Sequence, residues 1–176
     1  MVIRSLFAVA FALAATPSFA MELKSIDVAE GALSPVTEIC SRYGGGDISP
    51  ALTWSGVPAN AKSLAVTIFD PDAHGGWWHW LVVDIPATAT GLPQGAGSGK
   101  AAMPAGAQQA VNSDGNSGYD GPCPPAGSGT HHYQITLWAL GDAKAEVDLS
   151  GKPEAVGAWL EKHAIASARL TPVYRK

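Results

Sequence analysis

The sequence predicts a mainly β domain with long loops and one helix near its C-terminal end. Three observations predict it. Short apolar runs rich in β-branched and aromatic residues recur through the middle of the chain, bounded by proline, glycine or an Asp-Pro turn. Glycine (20) and proline (13) make up nearly a fifth of the 176 residues and follow no periodic repeat, which fits many turns rather than a helical bundle or a collagen-like chain. After Pro153 the apolar spacing changes to three and four.

The first twenty residues stand apart from that domain. Arg4 precedes an unbroken apolar run from Leu6 to Ala15, and Thr16, Pro17 and Ser18-Phe19-Ala20 follow. These are the three zones of a secretory signal peptide, with cleavage expected after Ala20. A membrane anchor needs about 18 to 20 apolar residues, so no integral span is expected once the signal is removed. Residues 21–176 read as a single domain, exported to the periplasm or secreted.

Within that domain Met21 to Val28 alternates loosely as an edge strand, and Leu52-Thr53-Trp54 is a short strand between Ser49-Pro50 and Gly56-Val57-Pro58. Leu64 to Phe69 and Trp78 to Ile85 are apolar enough to be strands buried on both faces. Gly91–Ala107 and Val111–Gly129 hold turn formers with little apolar pattern and read as long loops. Tyr133 to Leu140 returns to strand composition. Val156, Trp159, Leu160 and Ala164 then mark the apolar stripe of the helix, with Pro153 suited to its first turn. Ala168 to Tyr174 fits a strand or irregular structure equally well.

Hydrophobic residues are 47% of the chain and charged residues 15%, enough apolar material for a packed core and too little charge for a disordered chain. The formal net charge is −4. Without Arg4, the one charged residue of the first twenty, ten positive and fifteen negative side chains remain, a net of −5. A broad basic surface for nucleic acid is excluded.

Three stretches put ionisable or conformationally special residues at strand ends and in loops. Asp70-Pro71-Asp72-Ala73-His74 follows a buried strand, where Asp caps its own backbone and Pro fixes φ in any turn. In Trp77-Trp78-His79-Trp80, strand alternation points Trp78 and Trp80 to one face and His79 to the other with Trp77, making His79 either a satisfied core residue or part of a pocket. Gly118-Tyr119-Asp120-Gly121-Pro122-Cys123-Pro124-Pro125 is a stiff loop whose backbone amides can be presented to an anion, and His131-His132-Tyr133 follows it. The prolines also stiffen the loop whatever it binds.

Together, Asp-Pro-Asp-Ala at 70–73, Trp-His-Trp at 78–80, the 118–125 loop and His-x-Tyr at 131–133 resemble the phosphatidylethanolamine-binding proteins. Ser49-Pro50-Ala51-Leu52-Thr53-Trp54 and the cysteine ahead of it resemble the bacterial Raf-kinase-inhibitor-like branch. The resemblance implies an antiparallel β-sandwich with a C-terminal helix, long loops and a small surface cavity. That cavity would hold phosphate, acetate or a phospholipid head group. It would be lined by Asp70, His79, Gly121, Pro122 and His131, with Asp72, Trp78 and Tyr133 around it. Two imidazoles can donate to an anion, and a carboxylate such as Asp70 can fix the tautomer of one. No cofactor is implied. The sequence departs from the family pattern at His74, at Asp114 within Asn112-Ser113-Asp114-Gly115, and at His132.

Cys40 and Cys123 are the only cysteines. In an exported chain a disulfide between them is the economical expectation, with two free thiols as the alternative. The bridge would close a loop of about 84 residues, worth about 4 to 5 kcal/mol in the chain-entropy model.

The expected function is an exported binding protein for a small anion or phosphorylated head group, acting on a partner protein or alone. The alternative is an inhibitor of a protease or other protein, with Gly91–Ala107 as the contact loop. A His/Asp hydrolase or metal-dependent enzyme ranks last, because the chain has no H-E-x-x-H or G-x-S-x-G and no evident nucleophile. A homodimer is the base-rate assembly.

Overall fold

The computed structural model of the chain describes residues 20–176, and the signal peptide read at 1–20 lies, but for its last residue, outside the described residues. The strands are β1 (Glu22–Lys24), β2 (Leu52–Ser55), β3 (Ser63–Asp70), β4 (Trp77–Pro86), β5 (Gly91–Leu92), β6 (Gln108–Gln109), β7 (His131–His132) and β8 (Gln134–Leu140). The helix α1 (Pro153–His163) runs straight into β9 (Ala164–Leu170), and β10 (Val173–Tyr174) follows.

Strand alternation assigns the layers. A five-stranded sheet in the order β6-β4-β3-β8-β9 stands beside a three-stranded sheet β1-β2-β5 and a β7-β10 pair, and every strand pairing is antiparallel. Leu64, Val66 and Ile68 of β3 pack with Leu52, Trp54 and Leu92 of the smaller sheet, forming the core of a β-sandwich. Ala65 and Leu81 face the other way, into a second cluster with Val156 and Leu160 of α1. β3 and β4 are thus buried on both faces, as their near-continuous apolar runs require.

Pro153, Val156, Gly157 and Leu160 form the buried stripe of α1, with Glu154 in the first turn and Lys162 and His163 in the last, matching the helix dipole. Ala164 is not on the helical stripe as expected: it is already extended (φ −69°, ψ 130°) and opens β9. Ala168 to Tyr174, undecided from sequence, supplies the end of β9 and then β10. The edge strand read at 21–28 contracts to three residues.

Alternation fails at His79. Ile68 pairs with Trp80 and Phe69 with Trp78, so His79 has no partner across the ladder, a β-bulge. The bulge separates the two indoles expected on one face. Trp80 joins the sandwich core, while Trp78 turns to the helix side, against Phe69 (ring centroids 4.5 Å apart) and Gly157.

The two cysteines form a disulfide, Cys40–Cys123, with Cα atoms 5.4 Å apart. It ties the short 3₁₀ turn Ser41–Tyr43 to the 118–125 loop. The Gly91–Ala107 segment is held against the core: Gly95 N–H donates to Ser49 O, Gly97 N–H to Ser49 Oγ, and Tyr119 N–H to Gly97 O.

Candidate functional site

The end of β3, the bulge of β4, the 40–47 turn and the 118–131 loop enclose a cavity of about 770 Å³. Asp70 sits at the last position of β3, buried to 2% exposure. Its Oδ1 accepts the N–H groups of Asp72 (2.9 Å) and Ala73 (3.3 Å), the self-capping turn that Asp-Pro-Asp favours. Its Oδ2 accepts from His131 Nδ1 at 2.6 Å. One carboxylate therefore shapes the turn and orients a histidine.

A carboxylate only accepts hydrogen bonds, so His131 Nδ1 carries a proton, and Nε2 faces Ser128 Oγ at 3.0 Å. His132, the next residue of β7, is exposed and pairs instead with Asp72, whose Oδ2 takes both its N–H and its Nδ1 at 2.8 Å. Burial acts to raise the Asp72 carboxyl, and the His132 hydrogen bonds outweigh it and hold that carboxyl below the usual range.

His79 Nδ1–H donates to the Asp120 carbonyl at 2.8 Å. Burial pushes its pKa down to about 4, against the hydrogen bond to Asp120 and the charge of Asp70, which favour the proton. At neutral pH its Nε2 is an acceptor. The Asp120 carboxyl, 3.9 Å from the same ring, is raised to about 6 by burial and by the charges of Asp114 and Asp47. Tyr133 packs edge-on against His79, with ring centroids 5.1 Å apart. Its buried hydroxyl has no partner among the described residues.

Asp70, Asp72, His79, His131 and Tyr133 all line the cavity, and so does His74. Trp78 does not; the bulge places Trp77 there instead. Gly121 and Pro122 stand behind the wall. The Gly121 N–H, read as an anion donor, is taken by Asp47 Oδ1 at 3.0 Å, and the Pro122 carbonyl accepts Cys40 N–H. Glycine is required at 121 because a Cβ would press on the Glu38 carbonyl, on Ile39 C at 2.7 Å and on Asp47 Oδ1 at 2.8 Å.

Sequence reasoning missed Arg42, Asp47, Asp120 and Ser128. Arg42 is the one Lys or Arg among the described lining residues, against five aspartates, of which Asp70 and Asp72 are histidine-paired. Among the described residues no group of three or more His, Cys, Asp or Glu could hold a metal. The arrangement offers a mixed set of donors and acceptors rather than a ring of donors.

A family model, phosphatidylethanolamine-binding protein, matches residues 24–175. The chain belongs to the phosphatidylethanolamine-binding protein family. It is similar to the protein YbcL of Escherichia coli K12, at 46% identity over 160 residues, covering 88% of this chain and 87% of YbcL. It resembles YbhB of the same organism at 43% identity, with 88% and 99% covered. The crystal structure of E. coli YbcL, described as a new member of the mammalian PEBP family, superposes with a TM-score of 0.84 at 44% identity, covering 90% of this chain and 99% of that one. A putative lipoprotein LppC of Mycobacterium tuberculosis is 46% identical over 132 residues, 72% of this chain and 60% of that protein. The family assignment makes this a binding-protein fold with mainly antiparallel sheets.

Proposed function

We propose that the protein is exported and that its cavity holds a small anion or the phosphorylated head group of a larger molecule. One observation carries the reading: Tyr133, whose buried hydroxyl has no partner among the described residues, lines the cavity together with His79, His131 and the Arg42 cation. A phosphate oxygen accepts from the phenol and the guanidinium. His79 Nε2, an acceptor at neutral pH, selects a ligand that also donates, through a protonated phosphate oxygen or an amine attached to the phosphate. The five aspartates do not forbid this. Asp70 and Asp72 are histidine-paired, Asp47 is held by backbone N–H groups, Asp114 accepts from Asn116 Nδ2, and Asp120 sits near half-protonation just below neutral pH.

Export is supported by the signal-like zones of residues 1–20, by the disulfide and by the lipoprotein name of the Mycobacterium relative. Catalysis is not part of this reading. Inorganic phosphate and acetate titrated against the mature chain, with the imidazole resonances followed by NMR, test the pocket. His79 and His131 shift together along a saturating curve with phosphate, and Tyr133→Phe weakens binding roughly tenfold. If neither imidazole responds at millimolar ligand, the pocket reading is wrong.

A further inference from the structure

We propose that Ser128, His131 and Asp70 form a nucleophilic relay able to cleave small uncharged carboxylic esters. Asp70 and His131 are 2% and 4% exposed and joined at 2.6 Å, so the imidazole is locked in orientation and tautomer. Its other nitrogen, Nε2, lies 3.0 Å from Ser128 Oγ. Ser128 itself is exposed, lines the cavity, and stands between two glycines in the left-handed region, Gly127 (φ 81°) and Gly129 (φ 98°). A rigid buried acid–base pair thus presents its free nitrogen to a hydroxyl that a substrate can reach. Nucleophile, base and orienting carboxylate meet in the order that activates serine, and such a set is recognised by geometry and role rather than by sequence position.

The Ser128 hydroxyl has a second acceptor, the Pro125 carbonyl at 2.7 Å. Rotation about one bond moves its single proton between that carbonyl and His131 Nε2. Tyr133 lines the same cavity, and its buried hydroxyl, without a partner among the described residues, would be the donor to a developing oxyanion.

In the first step the Ser128 Oγ–C bond forms and the ester C–O bond breaks. The hydroxyl proton passes to Nε2 and on to the alkoxide, which leaves as an alcohol. Water then attacks the acyl-serine, returns a proton through Nε2, and releases the carboxylic acid and the free serine. Among the described lining residues Arg42 is the one Lys or Arg, so the site lacks the cluster of cations that stabilises phosphoryl transfer.

This proposal does not rest on phosphate binding, which is read on the imidazole resonances and can fail or hold separately. The test uses the mature chain with its disulfide intact. An uncharged alkyl fluorophosphonate is expected to modify Ser128, located by peptide mass, and p-nitrophenyl acetate to give a burst of one equivalent of nitrophenol. Ser128→Ala, at an exposed loop position, should lose the label and lower the hydrolysis rate on the order of a hundredfold. Absence of the label, label at another residue, or hydrolysis unchanged in Ser128→Ala overturns the relay. The last outcome would mark simple imidazole catalysis by an exposed histidine. Asp70→Asn, folded by circular dichroism, should slow labelling while leaving its site unchanged.

Discussion

Asp47 reaches across 74 positions of chain to accept the Gly121 N–H at 3.0 Å. Its other oxygen takes the Ser41 N–H at 2.8 Å, and its carbonyl takes the Ser98 hydroxyl. The residue stands at φ 50°, a conformation costly for most side chains and tolerated by Asp and Asn. One aspartate therefore sets the spacing of three loops around the cavity. Asp47→Ala loses two charge-assisted hydrogen bonds and adds backbone strain, and should lower unfolding free energy by about 2 to 4 kcal/mol. Asp47→Asn should cost less than half of that. Urea unfolding of both variants checks the order.

Trp78 and Gly157 meet more closely than a side chain at 157 would permit: a Cβ there would overlap the indole ring. In an exposed helix, glycine to alanine would stabilise by up to about 1 kcal/mol. Here the indole is wedged between Phe69 and the helix and cannot retreat. Gly157→Ala should instead destabilise by about 1 to 3 kcal/mol, read as a lowered Tm.

The Cys40–Cys123 bridge closes most of the cavity-forming sequence into one loop, with a separation of 83 residues. Replacing both cysteines by serine should cost about 4 kcal/mol in unfolding free energy. Mass spectrometry without reductant should find no titratable thiol in the protein. Two free thiols would overturn the pairing.

The sequence made the centre of the fold legible and its edges much less so. β3, β4 and β8 are long apolar runs, and the α1 stripe follows helical spacing, so composition alone marks them. β9 escapes because its pattern is inverted: Ala164, Ala166 and Ala168 face inward while Ile165 is 43% exposed. Asp70, His79 and His131 were legible through their motifs. Asp47 and Arg42 were not, since they reach the cavity only through loop closure over tens of residues, and Ser128, three residues before His131, was not because a lone serine between glycines carries no motif. Trp78 was misplaced because one unpaired residue at 79 reverses the face of everything before it.

Glu38 is 2% exposed, one of its carboxylate oxygens has no partner among the described residues, and burial followed by the charge of Asp27 raises it to about 8. The folded chain keeps that proton up to about pH 8, whereas the unfolded chain releases it near 4.5. Between those values the folded state binds more protons, so stability is full below pH 4.5 and falls as pH rises toward 8. Glu38→Gln should flatten this limb, changing the pH 5 to pH 8 difference by on the order of 3 kcal/mol. Unchanged pH dependence in the variant would mean that Glu38 ionises normally.

His79 acts with the opposite sign. Its folded pKa of about 4 lies below the 6.5 of the unfolded chain, so the unfolded state takes up the proton first as pH falls. The stability it contributes is complete above pH 6.5 and is lost on acidification toward pH 4. Proton exchange on ligand binding separates this buried neutral imidazole from an ordinary one. An anion seated beside His79 favours its charged form, so phosphate binding at pH 5 should draw a proton from the buffer. Calorimetry in two buffers of different ionisation enthalpy reads that uptake directly. His79→Gln should abolish the His79 share of it and flatten the acid limb of the stability curve. An NMR titration of the free protein with a His79 midpoint near 6.5 rather than about 4 would refute the assignment.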